Sequence, residues 1–552
     1  MDRQRPLAVF RVELPGCGLI GLAIPALLVL AAVVLVVVIA IQRSNKPGAE
    51  KGDGSDIIAY LVLAVSMIVA GFALAELANT AFPGDRFVFD PADNLATSLA
   101  ALVVSTPFLI YFWRRQADRR DLYPAANGWT LYLSFIELVF MTAFVVSAVT
   151  FVNGLIGDEP ASAWASAVVF GLIIVFHELA TRRTPPLSEA GELPRVIGSA
   201  IGLITVAGGL FGSLAEVFAT MFGVGDVGWH PWLAMAIVGL PVWAYRWLRP
   251  WPSPRASVPR LAWTTAVTVG AMAVAVGSAT SLLVLGLQYV VGDTQPAGSH
   301  FEPAPIALGL LLPSILIAIV HRRALGAERN TQIRFVDYAM AAIGLITAVI
   351  AAVALTVVAF DRSLIVGGGV EDVILFATVL VVGLAQWWVF TRRTARGDEE
   401  SEKTSWPRRI YHLGLGVGFG LVAAGALITT LVIVLRRLMD GETEGSLLTP
   451  LTIFIYTALA TWYLLSAYAR DRATMEREEM VAPFDVTIIT SHPGMIAAKF
   501  PKQARLQVLH RGDDAGAIDE EMADAIVAAV ANQPSLVWVD ADGFRVAPRR
   551  HP

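Results

Sequence analysis

The feature that most constrains this sequence is a series of about thirteen long apolar runs separated by short polar stretches. Each run approaches the ~20 residues that an α-helix needs to cross the hydrocarbon core of a bilayer. The predicted membrane-spanning helices are 18–41, 57–77, 95–113, 130–152, 161–179, 196–222, 232–247, 261–291, 305–320, 338–360, 373–390, 412–435 and 450–468. The pattern therefore predicts an all-α polytopic membrane bundle.

Composition supports a membrane location. Hydrophobic residues make up 56% of the chain and charged residues 16%, and the mean hydropathy is +0.63. Soluble chains are about a quarter charged, because polar side chains must cover their surface. A net charge of −5 gives no indication of a nucleic-acid partner. The single cysteine, Cys17, excludes an intrachain disulfide and a thiolate metal site.

After the first helix, the runs form six pairs whose first helices begin about seventy residues apart. The second helix of a pair tends to end with an aromatic residue or histidine followed by arginine. The clearest endings are Trp113-Arg114-Arg115, His321-Arg322-Arg323 and Trp388 with Arg392-Arg393; looser ones are His177 with Arg182-Arg183 and Tyr245-Arg246-Trp247. The sequence therefore predicts six repeated two-helix hairpins.

This hairpin, with its aromatic-plus-arginine ending, resembles a group of uncharacterised bacterial multi-pass membrane proteins catalogued as a domain of unknown function. The resemblance extends over roughly residues 57–470, although the second, third and sixth hairpins depart from the Trp-Arg-Arg ending. It implies a prokaryotic plasma-membrane location and carries no known activity or site residues.

The distribution of basic residues predicts the orientation of the bundle. Connections between hairpins carry most of its Arg and Lys residues, and the other side carries Arg3, Arg5, Arg11, Arg86, Arg362, Arg436 and Arg437. Because cytoplasmic loops are enriched in Arg and Lys, the connections and the C-terminus are expected in the cytoplasm. With thirteen helices, the N-terminus would then lie outside; if 18–41 is re-entrant or pairs differently, the N-terminus lies inside and the rest is unchanged.

The chain divides by composition into four predicted parts: 1–56, an N-terminal helix and linker; 57–468, the repeat bundle; 469–482, a charged helical linker; and 483–552, a cytoplasmic α/β domain. In this last domain, strands are predicted at 484–490, 504–509, 535–539 and 544–547, with a possible further strand at 495–500. A helix is predicted at 518–531. The expected partners are the lipid bilayer and a protein that contacts this domain.

Ionisable residues inside the apolar runs are the candidate site. Such groups are costly in lipid and suggest a function by default. They are Glu76, Glu137, Glu216, His177 and Glu178. Glu76 and Glu216 are expected near the outer ends of their helices and His177 and Glu178 near an inner end, whereas Glu137 lies deeper. They predict either a polar pathway through the bundle or interfacial and structural placement.

Two motifs that could suggest an enzyme have simpler interpretations. Asp540-Ala541-Asp542-Gly543 resembles the paired aspartates of phosphohydrolases, but fits a tight hairpin turn followed by too little chain for that fold. The glycines between Gly414 and Gly420 resemble a nucleotide loop, but lie inside an apolar run, where small residues permit close helix packing. No catalytic residue, cofactor or metal site is predicted.

Three functional classes remain open. The scarcity of intramembrane charge and the lack of a catalytic constellation favour a non-enzymatic scaffold or sensor that presents its cytoplasmic domain. The many helices and internal repeats favour a transporter or channel for a small solute, although the predicted hairpins all face the same way, unlike inverted repeats. A membrane enzyme has the least support.

Overall fold

The computed structural model describes residues 54–82, 91–122, 127–157, 163–183, 192–224, 228–249, 257–291, 296–326, 331–360, 370–395, 402–403, 405–440, 446–479, 484–490, 504–510, 520–530, 535–540 and 543–548. The chain divides into two compact units, Met1–Phe390 and Thr391–Pro552.

The first unit is built from helices. They are α1 (Gly54–Ala81), α2 (Pro91–Leu122), α3 (Asn127–Ile156), α4 (Trp164–Arg183), α5 (Leu193–Phe222), α6 (His230–Trp247), α7 (Val258–Val291), the short α8 (Ala297–His300), α9 (Ala304–Ala324), α10 (Thr331–Phe360) and α11 (Val370–Ala395), whose last residues belong to the second unit. Neighbouring helices pack in pairs, α1 with α2, α3 with α4, α5 with α6 and α7 with α9.

Within the described residues, eleven helices are long and apolar enough to cross a membrane. This indicates a multi-pass membrane protein. The predicted helix at 18–41 lies outside the described residues. Helix α6 was predicted to span but is not among the eleven, because His230, Pro241 and Arg246 make its eighteen residues less apolar. The count of thirteen spans and the six-hairpin repeat therefore stay predictions.

An aromatic core joins α1, α3 and α4. Tyr60, Trp129, Tyr132, Phe140 and Phe170 are buried together there, each at most 4% exposed. Their rings meet at centroid distances of 5.2 to 6.2 Å, within the range of favourable aromatic pairs. This core fixes the helices whose ends carry the candidate site.

Helices α5 and α6 approach each other through glycine. A Cβ atom at Gly202 would lie 2.8 Å from Trp243 Cα, and one at Gly209 would lie 2.7 Å from Ala236 Cα. No larger side chain fits without moving a backbone. The small residues between Gly198 and Gly202 therefore pack against a neighbouring helix, as the sequence predicts.

The second unit begins with a helical hairpin. Helix α12 (Trp406–Arg409) passes through a π-helical turn (Ile410–Gly414) into α13 (Leu415–Asp440), which packs on α14 (Leu448–Glu479). A Cβ at Gly416 would meet Leu465, which supports packing as the role of this glycine-rich stretch. Helix α14 continues through the predicted charged linker to Glu479 without a break.

The C-terminal region forms a four-stranded sheet with one described helix. Strands β1 (Phe484–Thr490), β2 (Ala504–His510), β3 (Ser535–Asp540) and β4 (Gly543–Pro548) lie in the order β2-β1-β3-β4. Strand β1 is parallel to β2 and β3, with Ile488 opposite Val508 and Val537, and β3 is antiparallel to β4. Helix α15 (Glu520–Val530) packs on the face formed by Val486, Ile488, Val537 and Val539.

The four strands and this helix lie where the sequence predicts them, to within two residues at each end. Asp540 pairs with Gly543, as expected for a tight hairpin at the Asp-Ala-Asp-Gly stretch. The possible strand at 495–500 lies outside the described residues.

Candidate functional site

An arginine pairs with two glutamates at one end of the first unit. Arg246 Nη2 donates a hydrogen bond of 2.9 Å to Glu137 Oε2, and Arg246 Nη1 donates one of 2.9 Å to Glu178 Oε2. Arg246 is 7% exposed and Glu137 is 8% exposed. We call Glu137, Glu178, Arg246 and Arg249 the Arg246 network.

Three helices, α3, α4 and α6, bring these side chains together. Glu137 lies ten residues into α3, which is about 15 Å along the helix axis. Glu178 lies in the last two turns of α4, and Arg246 is the penultimate residue of α6. We call the place where α3 and α5 begin and α4 and α6 end the arginine-rich end of the unit. The network ties the α3–α4 pair to the α5–α6 pair.

Gly198 makes room for the buried pair. A Cβ atom at this position of α5 would overlap Glu137 Oε1 and would lie 3.1 Å from Arg246 Nε. The absence of a side chain at Gly198 therefore lets α5 cover the ion pair and exclude solvent from it.

A second layer of polar groups surrounds the pair. Arg249 Nη1 donates to Glu178 Oε1 and lies 3.1 Å from the Tyr245 hydroxyl. Arg195 Nε donates to the Arg246 carbonyl at 2.7 Å, and its Nη2 donates to the Arg249 carbonyl. These carbonyls are at the C-terminal end of α6, where a helix lacks internal donors and favours a positive charge. Arg195 thereby fixes the end of α6 that carries Arg246.

His177 lies beside the network but belongs to the aromatic core. Its Nε2 lies 2.7 Å from the Tyr132 hydroxyl, and its Nδ1 lies 2.8 Å from the Ile173 carbonyl of the preceding turn. The Trp113 and Phe176 rings contact it edge-on. Both ring nitrogens are therefore used within the protein.

The five sequence-predicted residues fall into two groups. Glu137, His177 and Glu178 lie at the arginine-rich end, where Glu137 and Glu178 share Arg246. Glu76 and Glu216 lie toward the opposite ends of α1 and α5, where Glu76 is half-buried and Glu216 is 6% exposed. Nothing in this arrangement tests a polar pathway through the bundle, which stays a prediction.

Sequence analysis missed Arg246 as a site residue. Arg246 follows Tyr245 at the end of a helix and so matches the arginines that mark cytoplasmic connections. The signal that could have identified its role is that Glu178, the Gly198 stretch and Arg246 share one predicted end of the bundle, with Glu137 about two turns deeper.

A smaller ion pair closes the hairpin of the second unit. Arg408 donates two hydrogen bonds to Asp471, from Nε to Oδ2 at 2.7 Å and from Nη2 to Oδ1 at 3.0 Å. His412, in the π-helical turn, places Nε2 4.0 Å from the same Oδ2. Asp471 is 5% exposed, so this carboxylate depends on its two hydrogen bonds from Arg408.

The chemistry of the Arg246 network is that of a closed charge cluster. Each terminal nitrogen of the guanidinium lies 2.9 Å from a carboxylate oxygen, one of Glu137 and the other of Glu178. Among the residues that the structure describes, no group of three or more His, Cys, Asp or Glu side chains could hold a metal ion. The arrangement suits a structural tie between helices.

Comparison with known proteins gives one match. Residues 334–465 match the family model of a domain of unknown function (DUF5671). The match is shorter than the expected resemblance over 57–470 and covers parts of α10 and α14 with the helices between them. No curated protein and no solved structure matches the chain. The comparisons therefore support a membrane protein that contains a domain of unknown function.

Proposed function

We propose that this protein is a non-enzymatic membrane scaffold or sensor whose helical bundle presents the C-terminal α/β domain to the cytoplasm of a bacterial cell. The observation that carries the proposal is the Arg246 network, in which buried charges are matched to one another across three helices. A bundle held in this way forms a fixed frame. The connections rich in arginine support the orientation.

Burial explains why matched charges favour a frame. Ionised groups taken out of water lose several kcal/mol of solvation each, which only close partners restore. If Glu137 or Arg246 moved away during a transport cycle, the charged group left behind would be buried without a partner and would bear this uncompensated loss of solvation. A transporter or channel is the alternative class, and it requires water to reach these groups.

The C-terminal domain is the part proposed to meet a protein partner. It follows α14 after only four residues, so it stays close to the end of that helix. Its strand β3 exposes Leu536 by 38% and Trp538 by 41%. No nucleic-acid or cofactor role is proposed for it.

Cysteine labelling tests the frame against the pathway. Cys17 is the single cysteine of the chain, so a Cys17→Ser background contains none. Ser199→Cys and Thr205→Cys would place thiols in the buried face of α5, 0% and 7% exposed, about 9 Å apart along the helix. The matched control is Ala525→Cys, which is exposed on α15.

In permeabilised membranes, a membrane-impermeant thiol reagent should label Ala525→Cys, and should label the two α5 variants only after denaturation. Labelling of both α5 variants in the folded protein, at rates within tenfold of the control, would establish a water-filled pathway and overturn the proposal.

Sidedness is tested separately with Ser44→Cys and Gly157→Cys. The proposed hairpins place these two positions on opposite sides of the membrane, with residues 44 and 525 on the cytoplasmic side. Labelling of 44 and 157 from the same side of sealed vesicles would contradict the orientation.

A further inference from the structure

A lateral cleft opens between α7 and α9 of the first unit. Its volume is about 520 Å³, within the range of small-ligand sites. Ser278, Val284 and Ala307 lie buried on its floor, Ile306 is exposed on its rim, and Leu375 of α11 lines it from one side.

The chemistry of the cleft selects an apolar occupant. No ionisable side chain is among the residues that line it. Helices α7, α9 and α11 are each long and apolar enough to cross a membrane. The medium at a lateral opening between such helices is hydrocarbon, which excludes a soluble ion or sugar as the natural occupant.

An aromatic cluster indicates the depth of the cleft. The Tyr289 ring lies 5.1 Å from that of Phe301, and His300 lies 4.8 Å from Phe301. Amphipathic rings prefer the headgroup level of a bilayer. The α7 residues that line the cleft run from Val274 to Leu285, fifteen and four residues before Tyr289, so the cleft extends about 6 to 23 Å from the aromatic cluster along α7. A lipid headgroup at the aromatic level would place its acyl chain beside the cleft.

We propose that this cleft is a binding site for one acyl chain of a membrane lipid. The proposal goes beyond the scaffold function and does not depend on it, because it requires only that these helices lie in the bilayer. An acyl chain suits a narrow apolar cleft that is open on its membrane side. Its contacts with the floor would be dispersion contacts that no directional polar group needs to match.

Two glycines on the same helix provide a matched pair of variants. A Cβ atom at Gly277 or at Gly270 would have no other atom within 4 Å, so either position accepts a larger side chain. Gly277 lines the cleft, whereas Gly270 is absent from its lining. Gly277→Leu would project a side chain into the cleft and narrow it, and Gly270→Leu would add the same bulk to α7 outside it.

The test uses the full chain in phosphatidylcholine vesicles doped with a phosphatidylcholine that carries a diazirine near the end of one acyl chain. After irradiation, mass spectrometry locates the adducts. We expect adducts concentrated on the peptides that contain Ser278 and Ala307. Gly277→Leu should reduce them at least fivefold, and Gly270→Leu should leave them unchanged.

Three results would overturn the proposal: adducts spread evenly over lipid-facing helices, equal loss in the two glycine variants, or a cleft that stays unlabelled while other lipid-facing positions are labelled. Unfolding temperatures show whether each variant is folded. If Gly277→Leu is not, Ile306→Trp narrows the rim instead and should lower the adducts in the same way.

Discussion

Two arginines, one in each unit, pair with buried carboxylates in different ways. Arg246 divides its guanidinium between Glu137 and Glu178, which lie on two other helices. Arg408 places two nitrogens on the single carboxylate of Asp471. The first arrangement joins two helix pairs, and the second closes one hairpin.

The comparison shows that one residue type at one kind of helix end can have two structural roles. Arg246 is 7% exposed, and removing it would leave two acids facing each other. The Arg408 side chain is 22% exposed, and removing it would leave a single acid, Asp471. The cost of losing the arginine should therefore be larger and more widespread in the first unit.

The largest expected effect is that of Arg246→Met. This change leaves Glu137 and Glu178 without their shared partner, and breaking a buried ion pair costs about 3–5 kcal/mol. Thermal unfolding of the detergent-solubilised protein measures it. The control is Arg249→Met, whose side chain is 37% exposed. Equal losses in the two variants would contradict a central role for Arg246.

Arg408→Met should cost less, about 2 kcal/mol, below the usual range because the Arg408 side chain is partly exposed and leaves a single acid unpaired. The loss should appear in the unfolding of the second unit. Arg409→Met, an exposed neighbour on the same helix, should change the free energy of unfolding by about 0.5 kcal/mol or less. A loss in Arg408→Met that matches or exceeds the loss in Arg246→Met would reverse the comparison.

Gly198→Ala tests the space that the network needs. The added methyl group would overlap the Glu137 carboxylate, and overpacking costs about 1–3 kcal/mol. Gly270→Ala, in open space on α7, should be neutral or slightly stabilising, because alanine favours the helix. Similar stability of the two variants would show that Gly198 has no special packing role.

The smallest expected effect is that of Tyr132→Phe. It removes the 2.7 Å hydrogen bond to His177 Nε2 while keeping the ring in the core, and should cost about 1 kcal/mol. Tyr289→Phe, on a side chain 43% exposed, serves as the control and should change the unfolding temperature less. A loss at Tyr132 as large as that at Arg246 would place the main tie in the aromatic core instead.

Much of the fold could be predicted because the hydrophobic pattern is local. The strand pattern at 484–490 matches β1, and the apolar runs locate the membrane-length helices. Helix ends were less predictable. Helix α10 begins at Thr331 rather than near Tyr338, because its first turns contain Arg334 and Asp337, which are helical but polar. Hydropathy therefore underestimates the length of helices whose polar ends continue beyond the apolar run.

The candidate site could be predicted only in part. Intramembrane charge identified Glu137 and Glu178, since such groups are conspicuous in an apolar run. Their partner lies 109 residues from Glu137 and 68 from Glu178, so local pattern does not connect them. Arg246 was assigned to the boundary of the membrane because arginines at the ends of membrane-spanning helices commonly mark the cytoplasmic side.

The central claim is that Arg246 and Glu137 stabilise the bundle as a pair, and a double-mutant cycle on unfolding tests it most directly. In the wild-type background, Glu137→Gln should lower the free energy of unfolding, because it removes a charged partner. In the Arg246→Met background the same change should raise it, because a neutral amide is less costly there than an unpaired buried carboxylate. Equal losses in both backgrounds would contradict the account.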